Sequence, residues 1–138
     1  MHPEIAQKIR DSFSKQGLMG LIDAQVDSIE PGRVVLSLPI TDGVSQQHGF
    51  AHAGTSFALG DSAAGYAALS LMAAEAEVLT VEMKINLIAP AKGLRLIAVG
   101  EVVKPGRRLM ITRATVYAED HAGSRTETAL LQGTMIPV

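Results

Sequence analysis

The sequence predicts an α+β fold, a curved antiparallel sheet wrapped around one long central helix. Three observations predict it. From Gly54 to Leu71 the side chains are small or apolar with Asp61 the only charge, and a helix that apolar on most of its surface is normally surrounded by protein. On both sides of it lie stretches with apolar residues at every second position, the period of a half-buried strand. Turn residues such as Glu30-Pro31-Gly32 and Pro105-Gly106 separate those stretches, so neighbouring strands read as hairpins. A sheet bent around the helix buries both.

Taken in order, residues 3 to 16 place Ile5, Ile9 and Phe13 one turn apart, with Pro3 suited to a first turn and Gly17 to a stop. This is a short amphipathic helix lying against the surface of the domain. A run from Leu21 to Ile29 precedes the turn, and Val34, Leu36, Leu38 and Ile40 then alternate as a strand. Residues 41 to 53 form a loop and the helix spans 54 to 74, ended by Glu75-Ala76-Glu77. In the next strand Leu79, Val81, Met83, Ile85 and Leu87 alternate with Thr80, Glu82, Lys84 and Asn86, which puts Thr80 on the polar side. Strands over 94–104, 107–119 and 124–137 complete the chain.

The 138 residues suit a single domain, 1–138, with 1–17 as its N-terminal helix, and 47% hydrophobic content supplies a core. A formal charge of −2 argues against a nucleic-acid partner. The absence of Cys excludes disulfides, thiolate metal ligands and a Cys nucleophile, and fits a cytoplasmic location. The charged N-terminus lacks the apolar core of a secretory signal, and the run Ala63 to Ala74 is too short to span a bilayer, so no membrane partner is expected.

Chemistry concentrates between Gln46 and Asp61. Gln46, His48, Gly49, His52 and Gly54 crowd the start of the helix, where exposed N–H groups and a positive dipole end suit a developing negative oxygen. Gly60 and Gly65 each weaken a helix interior, which points to close approach of another backbone or a ligand. Asp61 lies seven residues beyond Gly54, about 10 Å along the axis at ~1.5 Å per residue. The two cannot grip one carbonyl, so a carboxylate delivering water to a carbonyl held at the helix start has to come from a second copy of the chain. Alternatively, Asp61 is a structural acid on an exposed strip or bonded to Ser62. His48 and His52 could hold Zn²⁺ with Asp61, but the loop character of the segment disfavours that geometry, and no metal is expected.

Gln46-x-x-Gly49-x-x-His52-Ala53-Gly54, followed by Phe57-x-Leu59-x-Asp61-x-Ala63, resembles the signature of hotdog-fold acyl-CoA thioesterases of the phenylacetate-degradation type. The segments Thr80–Asn86, Pro90-Ala91-Lys92-Gly93 and Lys104-Pro105-Gly106-Arg107 continue the match, from about residue 20 onward. The resemblance implies hydrolysis of an acyl-CoA to free acid and CoA without a cofactor. It implies Asp61 as general base or, alternatively, nucleophile, with the Ala53 N–H and Gln46 polarising the thioester oxygen and Thr80 helping to hold the water. It also implies association as a homodimer or a dimer of dimers, a homotetramer.

Ala53 stands where that family usually has Gly, so the donor requires a negative φ there, and Gln46 replaces the commoner Asn. His52 either caps the helix or touches substrate, and Thr80 either serves the site or faces solvent. Lys104, Arg107 and Arg108 either bind the CoA phosphates or form a solvated hairpin tip, with Gly54 also placed among the substrate-binding positions. Phe57 and Tyr66 read as core or acyl-pocket wall. Competing functions on the same fold are a non-catalytic acyl-CoA sensor, and a hydratase, which would pair its carboxylate with a nearby His; none follows Asp61 before His121.

Overall fold

The computed structural model describes residues 1–138 as α1 (Pro3–Ser14), α2 (Gly17–Leu21), β1 (Gln25–Glu30), β2 (Arg33–Pro39), α3 (Ala53–Leu69), β3 (Val78–Leu87), β4 (Arg95–Pro105), β5 (Met110–Glu119) and β6 (Arg125–Pro137). The strands form one antiparallel sheet in the order β1-β2-β4-β5-β6-β3. The sheet wraps α3, which packs against five of its strands. No helix is long and apolar enough to cross a membrane.

Alternation selects the inner face. Leu36, Leu38, Leu96, Ala98, Ala114, Val116, Ala129, Leu131 and Met135 are buried against Leu59, Ala63, Ala64, Ala67 and Ala68 of the helix. Small residues on α3 let it sit close to the sheet. The tightest approach is at Gly100 of β4, where a Cβ would stand 2.2 Å from the carbonyl carbon of Ala63. Gly60 also lies under a neighbour, with a Cβ there 2.9 Å from Leu131 Cδ2, whereas Gly65 has only Met135 Cε, at 3.9 Å. What approaches Gly60 is thus the end of a leucine side chain and not the backbone or ligand expected, and Gly65 has no neighbour closer than ordinary contact.

α1 buries Ile9 completely and meets α3 at Tyr66. Phe13 meets the Tyr66 ring edge-on at 6.3 Å between centroids, and the Tyr66 hydroxyl bonds Ser12 Oγ at 3.0 Å and accepts from Gln16 Nε2 at 2.8 Å. Lys8 Nζ donates to the Ala74 and Ala76 carbonyls.

Four boundaries and the face of one residue differ from the sequence reading. Gly17 opens α2 instead of ending a helix in extended chain, and the first strand begins at Gln25 after a turn at Asp23, whose φ is 59°. α3 ends at Leu69 and not at Ala74, because Ser70 donates to the Ala67 carbonyl and accepts the Gly32 N–H, a partner distant in sequence. β5 begins at Met110, so the β4–β5 connection is the wider loop Gly106–Leu109. The last difference bears on the site. Between Thr80 and Glu82 the pairing of β3 with β6 shifts by one residue, Val81 being the unmatched one. Thr80 lies opposite Met135 and Met83 opposite Gly133, so the bulge turns Thr80 to the inner face, away from the side of Glu82 and Lys84.

Candidate active site

The start of α3 is held by a compact loop. Gln46 N–H donates to the Phe50 carbonyl at 2.8 Å and Gly49 N–H to the Gln46 carbonyl at 3.0 Å, with Gly49 at φ 84°, where glycine fits without strain. The Gln46 side-chain oxygen accepts the N–H groups of His48 and Phe50. With its oxygen so fixed, the amide has its NH₂ left to offer.

His52 is the N-cap of α3. Its Nδ1 accepts the Gly54 N–H at 2.8 Å, and its carbonyl accepts from Thr55 and Ser56. A Cβ on Gly54 would sit 3.1 Å from that ring nitrogen, so glycine is what lets the imidazole fold over the turn. Of the first four N–H groups of the helix, only that of Ala53 has no partner. Ala53 is the first helical residue, its φ is not positive, and the departure from the familiar glycine leaves the donor in place. Gln46, His52 and Ala53 line a cavity of about 530 Å³ whose other walls include Phe50, Leu87, Ile88, Pro90 and Ala91.

Asp61 lies two turns further along α3, half-buried, and accepts a hydrogen bond from Thr80 Oγ1 at 2.8 Å. Burial pushes its carboxyl above the ordinary carboxylate range, and the Thr80 hydroxyl pulls it part of the way back. Ser62, the neighbour that could have satisfied a structural acid, makes no such bond; Thr80 does. Asp61 opens on a second depression bordered by Ser12, Gln16, Tyr66 and Thr80.

One chain thus gathers Gln46, His52, Ala53 and Gly54 at one place and Asp61 with Thr80 at another, and it does not bring the two sets together. The eight residues from Ala53 to Asp61 span about 12 Å of helix. Lys104, Arg107 and Arg108 are exposed at the β4–β5 loop. That loop leads into Met110, which pairs with Met135, itself opposite Thr80, so the basic residues stand at the Asp61 end. Phe57 is half-buried on the uncovered strip of α3, whereas Tyr66 is buried beneath α1 and is no wall of the larger cavity. No three His, Asp or Glu side chains converge as metal ligands. Ser56, which also lines the cavity, escaped the sequence reading because nothing local distinguishes it from other serines.

The thioesterase superfamily model matches residues 48–124, more than half of the chain. A thioesterase family protein from Silicibacter pomeroyi superposes with a TM-score of 0.94 at 47% identity, over 97% of this chain and 98% of that one. The 1,4-dihydroxy-2-naphthoyl-CoA hydrolase of Listeria monocytogenes is 27% identical over 103 residues, 75% of this chain and 84% of the relative. The PaaI protein of the Escherichia coli phenylacetic acid degradation operon shares the fold, with a TM-score of 0.84 at 18% identity over 98% of this chain and 94% of its own. With the wrapped helix, the six-stranded order and these likenesses together, the chain belongs to the thioesterase superfamily and has its hotdog fold.

Proposed function

We propose that the protein hydrolyses an acyl-CoA thioester to the free acid and CoA in a centre completed by a second copy of the chain. The observation that carries this reading is the placing of the two half-sites at opposite ends of one bare strand. β3 is the edge of the sheet; Thr80 near its start holds Asp61, and Leu87 at its end borders the cavity of Gln46 and Ala53. Leu79 and Val81 on β3 are 54% and 56% exposed, an apolar edge of the kind that pairs with another chain. Two copies pairing antiparallel through β3 about a two-fold axis set the start of each strand beside the end of the other. Asp61 of the partner subunit then faces the Ala53 cavity, and the partner subunit's basic loop lies at the same end.

In this arrangement the Ala53 N–H and the Gln46 amide donate to the thioester oxygen, while Asp61 of the partner subunit takes a proton from water. The resulting hydroxide adds to the carbonyl carbon, the tetrahedral oxyanion is held by the two donors, and the C–S bond breaks as the carbonyl reforms. The proton on Asp61 passes to the departing CoA sulfur. A carboxylate raised in pKa by burial is a stronger base than one in water, which suits general-base action over direct attack. His52 holds the helix start in shape through the Gly54 N–H, and Thr80 orients the carboxylate.

Phe50, Leu87, Ile88 and Pro90 supply apolar walls for an aryl or fatty acyl group, and the aryl-CoA named for the Listeria relative favours the former. Lys104, Arg107 and Arg108 suit the CoA phosphates. The same reading places the protein in the cytoplasm, with further pairing of dimers into a homotetramer.

The test is release of free thiol from a panel of acyl-CoAs by the purified protein beside Asp61→Asn and Asp61→Ala. Turnover by the unaltered protein well above both variants supports the proposal, and turnover no greater than theirs overturns it. Saturable binding without thiol release would instead identify a sensor.

A further inference from the structure

Six Ser and Thr residues are buried: Ser37, Thr55, Ser56, Ser70, Thr112 and Thr128. Five of their hydroxyls are hydrogen-bonded, to Asp27, Val44, Ala67, Gly133 and Val116 respectively when Ser56 is passed over. Ser56 alone has no partner, although the residue is only 2% exposed. A helical serine without a better acceptor commonly bonds back to the carbonyl four residues earlier. Here that carbonyl is His52's, already occupied by the Thr55 and Ser56 N–H groups. Buried hydroxyls are rarely left idle, and no polar side-chain atom sealed from solvent in this protein lacks a partner. The Ser56 hydroxyl therefore opens on the cavity it lines with Ala53 and Gln46.

Position gives it a task. Ser56 is three residues beyond Ala53, nearly one turn deeper on the same side of α3, a rise of about 4.5 Å. If the thioester oxygen sits at the Ala53 N–H, the hydroxyl faces the acyl group just past the carbonyl. An alkyl or plain aryl group there would leave the hydroxyl buried and unpaired, whereas an oxygen on the first or second carbon beyond the carbonyl would meet it.

We propose that Ser56 is a specificity-determining residue that makes the cavity favour acyl groups bearing a hydroxyl or oxo group on the first or second carbon beyond the thioester carbonyl. This rests on the proposed function only for where the thioester lies, and binding measurements test it without turnover. The probes are 3-hydroxybutyryl-CoA against butyryl-CoA, and 2-hydroxybenzoyl-CoA against benzoyl-CoA.

Affinities are measured by calorimetry in the Asp61→Asn protein and in Asp61→Asn with Ser56→Ala, and kcat/KM ratios in wild type and Ser56→Ala. The preference for the hydroxylated member of at least one pair should be evident in the parent and fall about tenfold on removing the Ser56 hydroxyl, the size of one hydrogen bond. The melting temperature should hold or rise in Ser56→Ala, since no internal bond is lost. Ratios unaltered by Ser56→Ala in both pairs, no binding of any probe, or a fall in melting temperature marking a structural serine would each overturn the proposal. Selective binding without thiol release would sink the hydrolytic reading and leave this one standing.

Discussion

Gly100→Ala tests the link between the packing of α3 and the site it carries. The added Cβ would lie 2.2 Å from the Ala63 carbonyl carbon, 2.3 Å from its oxygen and 2.5 Å from the Ala64 nitrogen. These are backbone atoms in the middle of a buried helix, on a strand paired on both sides, so no side chain can swing away. Restoring an ordinary contact of 3.4 Å moves helix and sheet apart by about 1.2 Å. Overpacking of this kind costs about 1–3 kcal/mol, and rigid backbone on both sides argues for the upper end. Replacing glycine stiffens the unfolded chain and returns about 0.4–1 kcal/mol, leaving a net loss near 2 kcal/mol.

Because Asp61 is two residues before Ala63, the same shift opens its 2.8 Å bond to Thr80, and a 1 Å misplacement of a reacting group can cost about a hundredfold in kcat. Urea unfolding of wild type and Gly100→Ala, with thiol-release kinetics on both, measures each term. Gly20→Ala, where a Cβ meets nothing within 4 Å, is the control and should not destabilise. A Gly100→Ala protein within about 0.5 kcal/mol of wild type, with unaltered kcat, would refute the close-packing argument.

Ala53→Pro removes the free N–H at the one helical position where proline fits, and His52 already has the extended φ −62°, ψ 144° that a following proline requires. Circular dichroism should show an intact helix while kcat falls about 10²–10³-fold. Asp61→Asn should stabilise the protein at neutral pH. The raised native pKa means that at this site the native state binds more protons than the unfolded chain above about pH 3.9, so the contribution of Asp61 to stability is most favourable in acid and is lost as pH rises through the native pKa. Urea midpoints of the two proteins should therefore diverge from acid to neutral pH, and parallel curves would contradict the assigned burial. Thr80→Val takes away the bond that lowers the Asp61 pKa, so the acid limb of the pH–rate profile should move to higher pH and kcat at neutrality should fall about tenfold. Asp61→Asn and Ala53→Pro, each inactive alone, should recover about a quarter of wild-type activity when refolded together, since random pairing gives half mixed dimers with one intact site in two. No recovery would place both halves of the site in one chain.

Much of this was legible in the chain because the relevant signals are local. The alternation in Val34–Ile40 and the small residues of 54–69 announced a strand and a buried helix, and Gln46, His52 and Asp61 stood out by residue type and spacing, whereas Ala53 was picked out only by the family resemblance. What was not legible depends on distant partners. The end of α3 is set by Ser70 gripping the Gly32 N–H, while Leu71, Met72 and Ala73 continue the apolar run and disguise the stop. Gly17 reads as a helix stop, and it and Gly20 hide a helix of five residues, Gly17–Leu21. The meeting of Thr80 with Asp61 required the sheet order, since β3 pairs with the last strand and not with its neighbours in sequence. Ser56 became distinctive only when every other buried hydroxyl had been matched to an acceptor.

The bulge at Val81 decides which face of β3 carries Thr80, and with it whether Asp61 has a hydroxyl partner. Without the bulge, strict alternation from Met83 backwards would aim Val81 inward and Thr80 outward, and Asp61 would lose its hydroxyl partner with no change of residue type at either position. Among proteins with the same helix and the same two-residue spacing between methionine and threonine, those whose strand pairs in unbroken register would therefore turn the threonine to solvent and leave the aspartate unsupported.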